Sequence, residues 1–132
     1  ARNFAELAHS VGKFKVGVMV ERISLIADLA KLAGEIDFIS VGTNDLAQDI
    51  LKTDRLNANS QPSAQAWPNE LVDALKAIMD GAKAANLATS VCGEIAANPD
   101  FAIELARLGF SAVSVAPSAV KQVSLALRST SL

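Results

Sequence analysis

Apolar residues along this chain fall into two patterns that alternate from one end to the other. Short continuous runs occur at residues 14–20, 38–41, 88–92 and 112–115, and between them apolar positions recur every three or four residues. The first spaced stretch, residues 23–33, carries Leu25, Leu29 and Leu32 and stops at Gly34. Next, Thr43 follows Gly42 and can cap a short helix running through Ile50 and Leu51. Pro68 suits the first turn of a third helix, whose Leu71, Leu75, Ile78 and Ala82 share one face. Asn98 and Pro99 open a fourth helix, ended by Gly109, and residues 118–127 form a closing one. A further helix, carrying His9, precedes the first run.

Strand-like and helix-like segments in strict alternation are the signature of βα units, so the pattern predicts an α/β fold with a parallel sheet and about four units. The runs lack polar–apolar alternation, which predicts strands covered on both faces. Residues 53–67 break the pattern with Asn57, Asn59, Ser60, Pro62 and Ser63, long enough for a functional loop. In parallel α/β folds ligands bind at the carboxyl ends of strands. Those ends carry the chemically dense residues here: Glu21, the turn Gly42-Thr43-Asn44-Asp45, and the turn Cys92-Gly93-Glu94.

Composition narrows the partners. The 132 residues are 51% hydrophobic and 20% charged, which excludes disorder and fits a single domain. Twelve basic against fourteen acidic side chains leave no basic excess for nucleic acid or an anionic membrane surface. No apolar block approaches the roughly 18 residues of a membrane span. One cysteine and one histidine suggest neither a disulfide nor a zinc site, and a reducing, cytoplasmic setting is expected.

Each dense residue admits a chemical and a plain structural reading. Glu21 and Asp45, from neighbouring strand ends, suit Mg²⁺, which takes one or two protein carboxylates with waters and substrate phosphate oxygens; they can equally be a solvated strand end and a helix cap. The Gly42–Asp45 turn can aim backbone amides at an anion, or merely cap a helix. Cys92 can serve as an acid or nucleophile, or fill space as a small apolar group. Arg55, in the long loop, can fork onto a phosphate or stay solvated. Trp67 reads as a packing anchor, and His9 has no assigned role.

Four motifs in order, Gly17-Val18-Met19-Val20-Glu21, Asp37 through Gln48, Asp54-Arg55-Leu56-Asn57 and Cys92-Gly93-Glu94, resemble the phosphoenolpyruvate-utilising enzymes. Within them the closest resemblance is to Enzyme I, the phosphoenolpyruvate-protein phosphotransferase of the bacterial sugar phosphotransferase system. Pyruvate phosphate dikinase and phosphoenolpyruvate synthase are less similar. The resemblance implies the C-terminal half of a TIM (β/α)₈ barrel. It implies Glu21 and Asp45 as Mg²⁺ ligands, Asn44 and Asp45 as substrate contacts, Arg55 as a phosphate contact, and Cys92 as proton donor to C3 of the enolate. The family pattern is altered where Arg22, Ile23 and Ser24 follow the glutamate and in residues 61–68.

A full barrel of this type needs about 250 residues, so the resemblance implies a C-terminal portion of a larger phosphotransferase, inactive alone. Phosphoenolpyruvate and pyruvate are its implied ligands, and a phosphocarrier protein, reached through upstream domains, its implied partner. A homodimer is also implied, since half a barrel leaves strand edges uncovered. Two other classes stand beside this one: a noncatalytic assembly module, and a Mg²⁺-dependent lyase or aldolase acting through a pyruvate enolate.

Overall fold

The structure is a computed structural model that describes residues 2–54 and 69–130. After helix α1 (Arg2–Val11), four parallel strands follow: β1 (Gly17–Val20), β2 (Phe38–Gly42), β3 (Ala88–Cys92) and β4 (Ala112–Ser114), hydrogen-bonded in the order β1-β2-β3-β4. Helices α2 (Thr43–Asp54), α3 (Asn69–Ala84), α4 (Pro99–Leu108) and α5 (Pro117–Ser129) connect or follow them, with 3₁₀ helices at Ile23–Leu32 and Glu94–Ala97.

A strand order that follows the sequence has a direct consequence. Right-handed crossovers then place every connecting helix on one face of the sheet. Burial follows suit. Val20, Ile39, Val41, Thr89 and Val91 are buried and belong to the helix-covered face. Their neighbours Met19, Ser40, Ser90, Cys92, Ala112 and Ser114 are exposed or half-buried on the other. The expected two-faced burial is therefore corrected: one face is covered, and the open one carries Ser40, Ser90, Cys92 and Ser114 beside the apolar Met19 and Ala112. In a barrel that open face is the interior, so the architecture is a partial α/β barrel. Gly17 supports this arrangement locally, because its bare backbone leaves room for the ring of its pairing partner Phe38.

The core lies between sheet and helices, where Leu29, Leu46, Leu71, Leu75, Ile78 and Leu105 are at most 1% exposed. Gly81 of α3 admits Leu29 closely. The stretch expected as an α-helix at 23–33 is instead the 3₁₀ helix, and its sequence explains why. Ile23, Ile26, Leu29 and Leu32 recur every three residues, and three residues make one 3₁₀ turn. Of these, Leu29 is buried while Ile26 and Leu32 pack partly against the core.

The first apolar run is also shorter as a strand than its hydrophobicity suggested. Phe14 is exposed, and Val16 is bonded through both backbone groups to Asp37, donating to its carboxylate at 2.7 Å and accepting from its amide at 2.7 Å. These bonds clamp the amino ends of β1 and β2, with His9 3.8 Å from the same carboxylate. Buried Thr89 is tied to Ser111, whose hydroxyl donates to the Thr89 carbonyl at 2.7 Å and whose amide donates to the Thr89 hydroxyl at 3.4 Å, next to the pairing of β3 with β4. Asn98 caps α4 through the amides of Asp100 and Phe101, and Gly109 ends it in the left-handed conformation, both as the sequence indicated.

Candidate functional site

The carboxyl ends of β1, β2 and β3 lie side by side because Val20 pairs with Val41 and Gly42 with Cys92. Glu21 leaves β1 half-buried, and its side chain lies directly over Gly42. A Cβ at residue 42 would stand 2.8 Å from Glu21 Cγ and 3.0 Å from Oε1. Glycine at this position is thus the seat that lets the carboxylate lean over the end of β2. The solvated-strand-end reading of Glu21 does not describe this arrangement.

Beyond Gly42, Thr43 is the first residue of α2 and is fully buried. Its hydroxyl is not used as the expected helix cap. It reaches across and donates to the Cys92 carbonyl at 2.8 Å. The next residue, Asn44, accepts the Glu94 amide on Oδ1 at 3.2 Å. Between these bonds sits Gly93, with φ 110 and ψ 175, a region essentially confined to glycine. The two carboxyl-end turns singled out in the sequence therefore form one hydrogen-bonded unit.

Because a backbone N–H can bond only the oxygen of a carboxamide, the Asn44 bond also fixes which way that amide faces. What remains for a ligand is the Nδ2 pair of donors. Cys92 is half-buried on the open face; its thiol donates to the Val41 carbonyl at 3.5 Å, and the Ser40 hydroxyl lies 3.9 Å from Sγ. Asp45, one residue past Asn44, is exposed in the first turn of α2, where the helix dipole favours a negative charge. Asp49, a turn later, accepts the Ile23 amide at 3.1 Å and so ties α2 to the segment after Glu21.

The structure thus brings Glu21, Asn44, Asp45 and Cys92 to one end of the sheet. Arg55 and Trp67 lie outside the described residues. Asp37 and His9 sit at the opposite, amino end, where they serve the strand entry. Among the described residues no group of three or more His, Cys, Asp or Glu side chains is gathered. The two carboxylates Glu21 and Asp45 are the residues here that could hold Mg²⁺, a cation that takes one or two protein carboxylates with waters and substrate oxygens. Sequence reasoning missed the cross-strand role of Thr43 and the contribution of Ser40. The buried hydroxyl is invisible without tertiary structure, although glycine at both 42 and 93 signals close approach.

Comparisons with known proteins identify the family and the fold. Residues 3–132 match the family described as the PEP-binding domain of PEP-utilising enzymes. The phosphoenolpyruvate-dependent phosphotransferase system protein of Salmonella typhimurium is 35% identical over 92% of this chain. The phosphoenolpyruvate-protein phosphotransferase of Borreliella burgdorferi is 32% identical over 86% of it. The chain spans only 16% and 20% of the length of these two relatives. In structure it is similar to a citrate lyase beta subunit from M. tuberculosis, solved with oxaloacetate and magnesium, with TM-score 0.65 and 18% identity. That likeness, covering 94% of this chain and 57% of the other, is one of fold. With the family matched along nearly its full length, the chain belongs to the PEP-binding domain family of PEP-utilising enzymes.

Proposed function

We propose that this chain forms the C-terminal part of a phosphoenolpyruvate-binding barrel, residues 1–132 being one partial domain of a longer phosphotransferase. In that protein the phosphoryl group of phosphoenolpyruvate passes to a protein histidine and pyruvate is released. The observation that carries this reading is the convergence of Glu21, Asn44-Asp45 and Cys92 at the carboxyl ends of three adjacent strands. The matched family and the names of the curated relatives support the substrate.

Each residue has a task that its position suits. Glu21 and Asp45 would hold Mg²⁺, which supplies neutralisation of phosphate charge when bound. Asn44 offers its Nδ2 donors to a substrate oxygen, as its engaged carbonyl requires. Arg55, as the resemblance implies, would contact the phosphate. Once the phosphoryl group has left, an enolate must be protonated at C3. In this step the Cys92 S–H bond breaks, its proton forms the new C3–H bond with the enolate π electrons, and the S–H electron pair stays on sulfur as thiolate. Phosphoryl transfer itself asks mainly for positioning and charge neutralisation.

The reading carries its partners with it: phosphoenolpyruvate and pyruvate, a histidine-bearing phosphocarrier protein and a cytoplasmic setting. No helix among the described residues is long and apolar enough to cross a membrane. The lyase alternative rests on a likeness of fold alone and receives no residue-level support.

Titration calorimetry of phosphoenolpyruvate with Mg²⁺ into the folded chain tests the reading. Binding by the wild type that disappears in Asp45→Ala is the expected result. A folded wild type that gives no heat overturns the idea that these strands preform the half-site.

A second, compatible reading is assembly, and a separate observation favours it. Phe4, Leu7 and Val11 on one face of α1, with Phe14 beyond it, are 61–74% exposed. Along β4, an edge strand, a groove of about 510 Å³ is lined by Val113, Val115, Val120, Val123 and Leu127 together with Ser114, Ser124 and Arg128. Both surfaces suit a further apolar partner, and a homodimer is part of this proposal. Light scattering across a concentration series checks it, with a strictly monomeric chain as the contrary result.

A further inference from the structure

We infer that Thr43 is the positioning residue for Cys92: its buried hydroxyl fixes the turn that carries the thiol, and so sets the acid against the substrate contacts Asn44 and Asp45. The inference rests on the reading of Cys92 as the acid given above. Among the described residues only two buried side chains are polar, Thr43 and Thr89. The Thr89 hydroxyl is accounted for by Ser111, whose amide donates to it at 3.4 Å and whose hydroxyl lies 3.4 Å from it, at a distance from the carboxyl ends. Thr43 stands at the mouth itself. A buried hydroxyl is costly unless it is bonded, and a valine of nearly the same shape would fill this space without that requirement. The hydroxyl is therefore specified by the bond it makes, at 2.8 Å, to the Cys92 carbonyl.

That bond matters because the thiol's own hydrogen bonds are long. Among the described residues the hydrogen bonds of Cys92 Sγ run to the Val41 carbonyl at 3.5 Å and from the Ser40 hydroxyl at 3.9 Å. Its position is decided by the backbone, which the sheet holds opposite Gly42 on one side and Ser114 on the other and which then leaves the ladder at Gly93 with positive φ. Thr43 grips the peptide on one side of Gly93, and Asn44 grips the Glu94 amide on the other at 3.2 Å. Successive residues of β2's turn thus clasp both flanks of β3's turn. The groups that would meet substrate and the group that would protonate its C3 become one rigid unit.

Thr43→Val and Thr43→Ser test this in the chain itself, because Cys92 is its sole thiol. Three readouts apply: the ¹³C′ shift of Cys92, amide hydrogen exchange of Glu94, and the rate of alkylation of Cys92 by iodoacetamide. Thr43→Val is expected to move the carbonyl signal upfield. It should raise Glu94 exchange by between about twofold and about tenfold, as for one hydrogen bond lost, and change the alkylation rate. Thr43→Ser is expected to restore all three toward wild type. A folded Thr43→Val that leaves the carbonyl shift and exchange unchanged overturns the inference, as does a serine variant indistinguishable from valine. If Thr43→Val does not fold, Thr43→Ser decides: a wild-type carbonyl shift supports the clasp and a displaced one refutes it. Titration of the same variants with phosphoenolpyruvate and Mg²⁺ keeps the two ideas apart, since a wild type that binds nothing undermines the functional reading while the carbonyl shift still reports on the clasp.

Discussion

Substituting Gly93 by alanine offers the most direct stability test of the clasp between the two turns. The backbone there has φ 110 and ψ 175, and a residue with a Cβ pays about 1–3 kcal/mol for that conformation. The new methyl would also run into Thr43 Oγ1 and stand 3.0 Å from Asn44 Oδ1. Neither oxygen is free to retreat, since the first is fully buried and bonded to the Cys92 carbonyl and the second accepts the Glu94 amide. Overpacking of this kind adds about 1–3 kcal/mol. The sum, about 2–6 kcal/mol, is a large part of the roughly 5–15 kcal/mol that holds a domain folded. Gly34 provides the control: it too has positive φ, at 79, but nothing lies within 4 Å of its would-be Cβ. Gly34→Ala should therefore cost only about 1–2 kcal/mol. Urea unfolding followed by far-ultraviolet circular dichroism compares the pair. In the double variant with Thr43→Ala, which removes the obstructing oxygen, the loss should be smaller than the sum of the single losses by about 1 kcal/mol. Equal losses at 93 and 34, together with strict additivity, would falsify the clasp geometry.

Three further outcomes follow from named contacts. Gly42→Ala pushes against Glu21, a half-exposed side chain able to swing away, so stability should fall by less than about 1.5 kcal/mol while Mg²⁺-dependent ligand binding weakens about 10- to 100-fold; calorimetry and thermal unfolding on one sample separate the two. Leu75→Ala removes a fully buried side chain beneath the sheet and should cost about 2–5 kcal/mol in chemical denaturation, with a loss under about 1 kcal/mol contradicting its place in the core. Asn98→Ala deletes the cap on the Asp100 and Phe101 amides and should cost about 1 kcal/mol, whereas Asn98→Asp should retain most of the stability.

Much of the fold was legible because local patterns and tertiary demands agree. Helix α4 shows this best, since its cap, proline start and glycine stop all act within a few residues. Legibility failed where a partner distant in sequence decides. The run at 14–20 looks like one strand, yet Asp37, 21 residues after Val16, takes over its first backbone pairing. The stretch 23–33 shows a helical period of three to four in sequence, but its repeat of three and its seat against α3 go with 3₁₀ geometry over Ile23–Leu32. At the site, the strand ends point to Glu21, Asn44, Asp45 and Cys92 in the sequence itself, whereas local spacing makes a cap of Thr43. Its true acceptor lies 49 residues away. Of the expected site residues, Arg55 alone falls outside the described segments.

By itself the sequence determined that parallel βα units follow one another and that their carboxyl ends carry carboxylates, an amide and a thiol. Hydrophobic period, glycine and proline placement and strand-end chemistry are local properties, and local properties are written in local order. Only the tertiary structure decided that one face of the sheet stays open, because that depends on strand order and crossover hand rather than on any run's composition. It alone decided that Glu21 rests on Gly42 and that Thr43 and Asn44 clasp the Cys92-Gly93-Glu94 turn. Such contacts join residues about 20 to 50 apart in sequence, and it is the packed sheet, by fixing the register of β1, β2 and β3, that makes them possible.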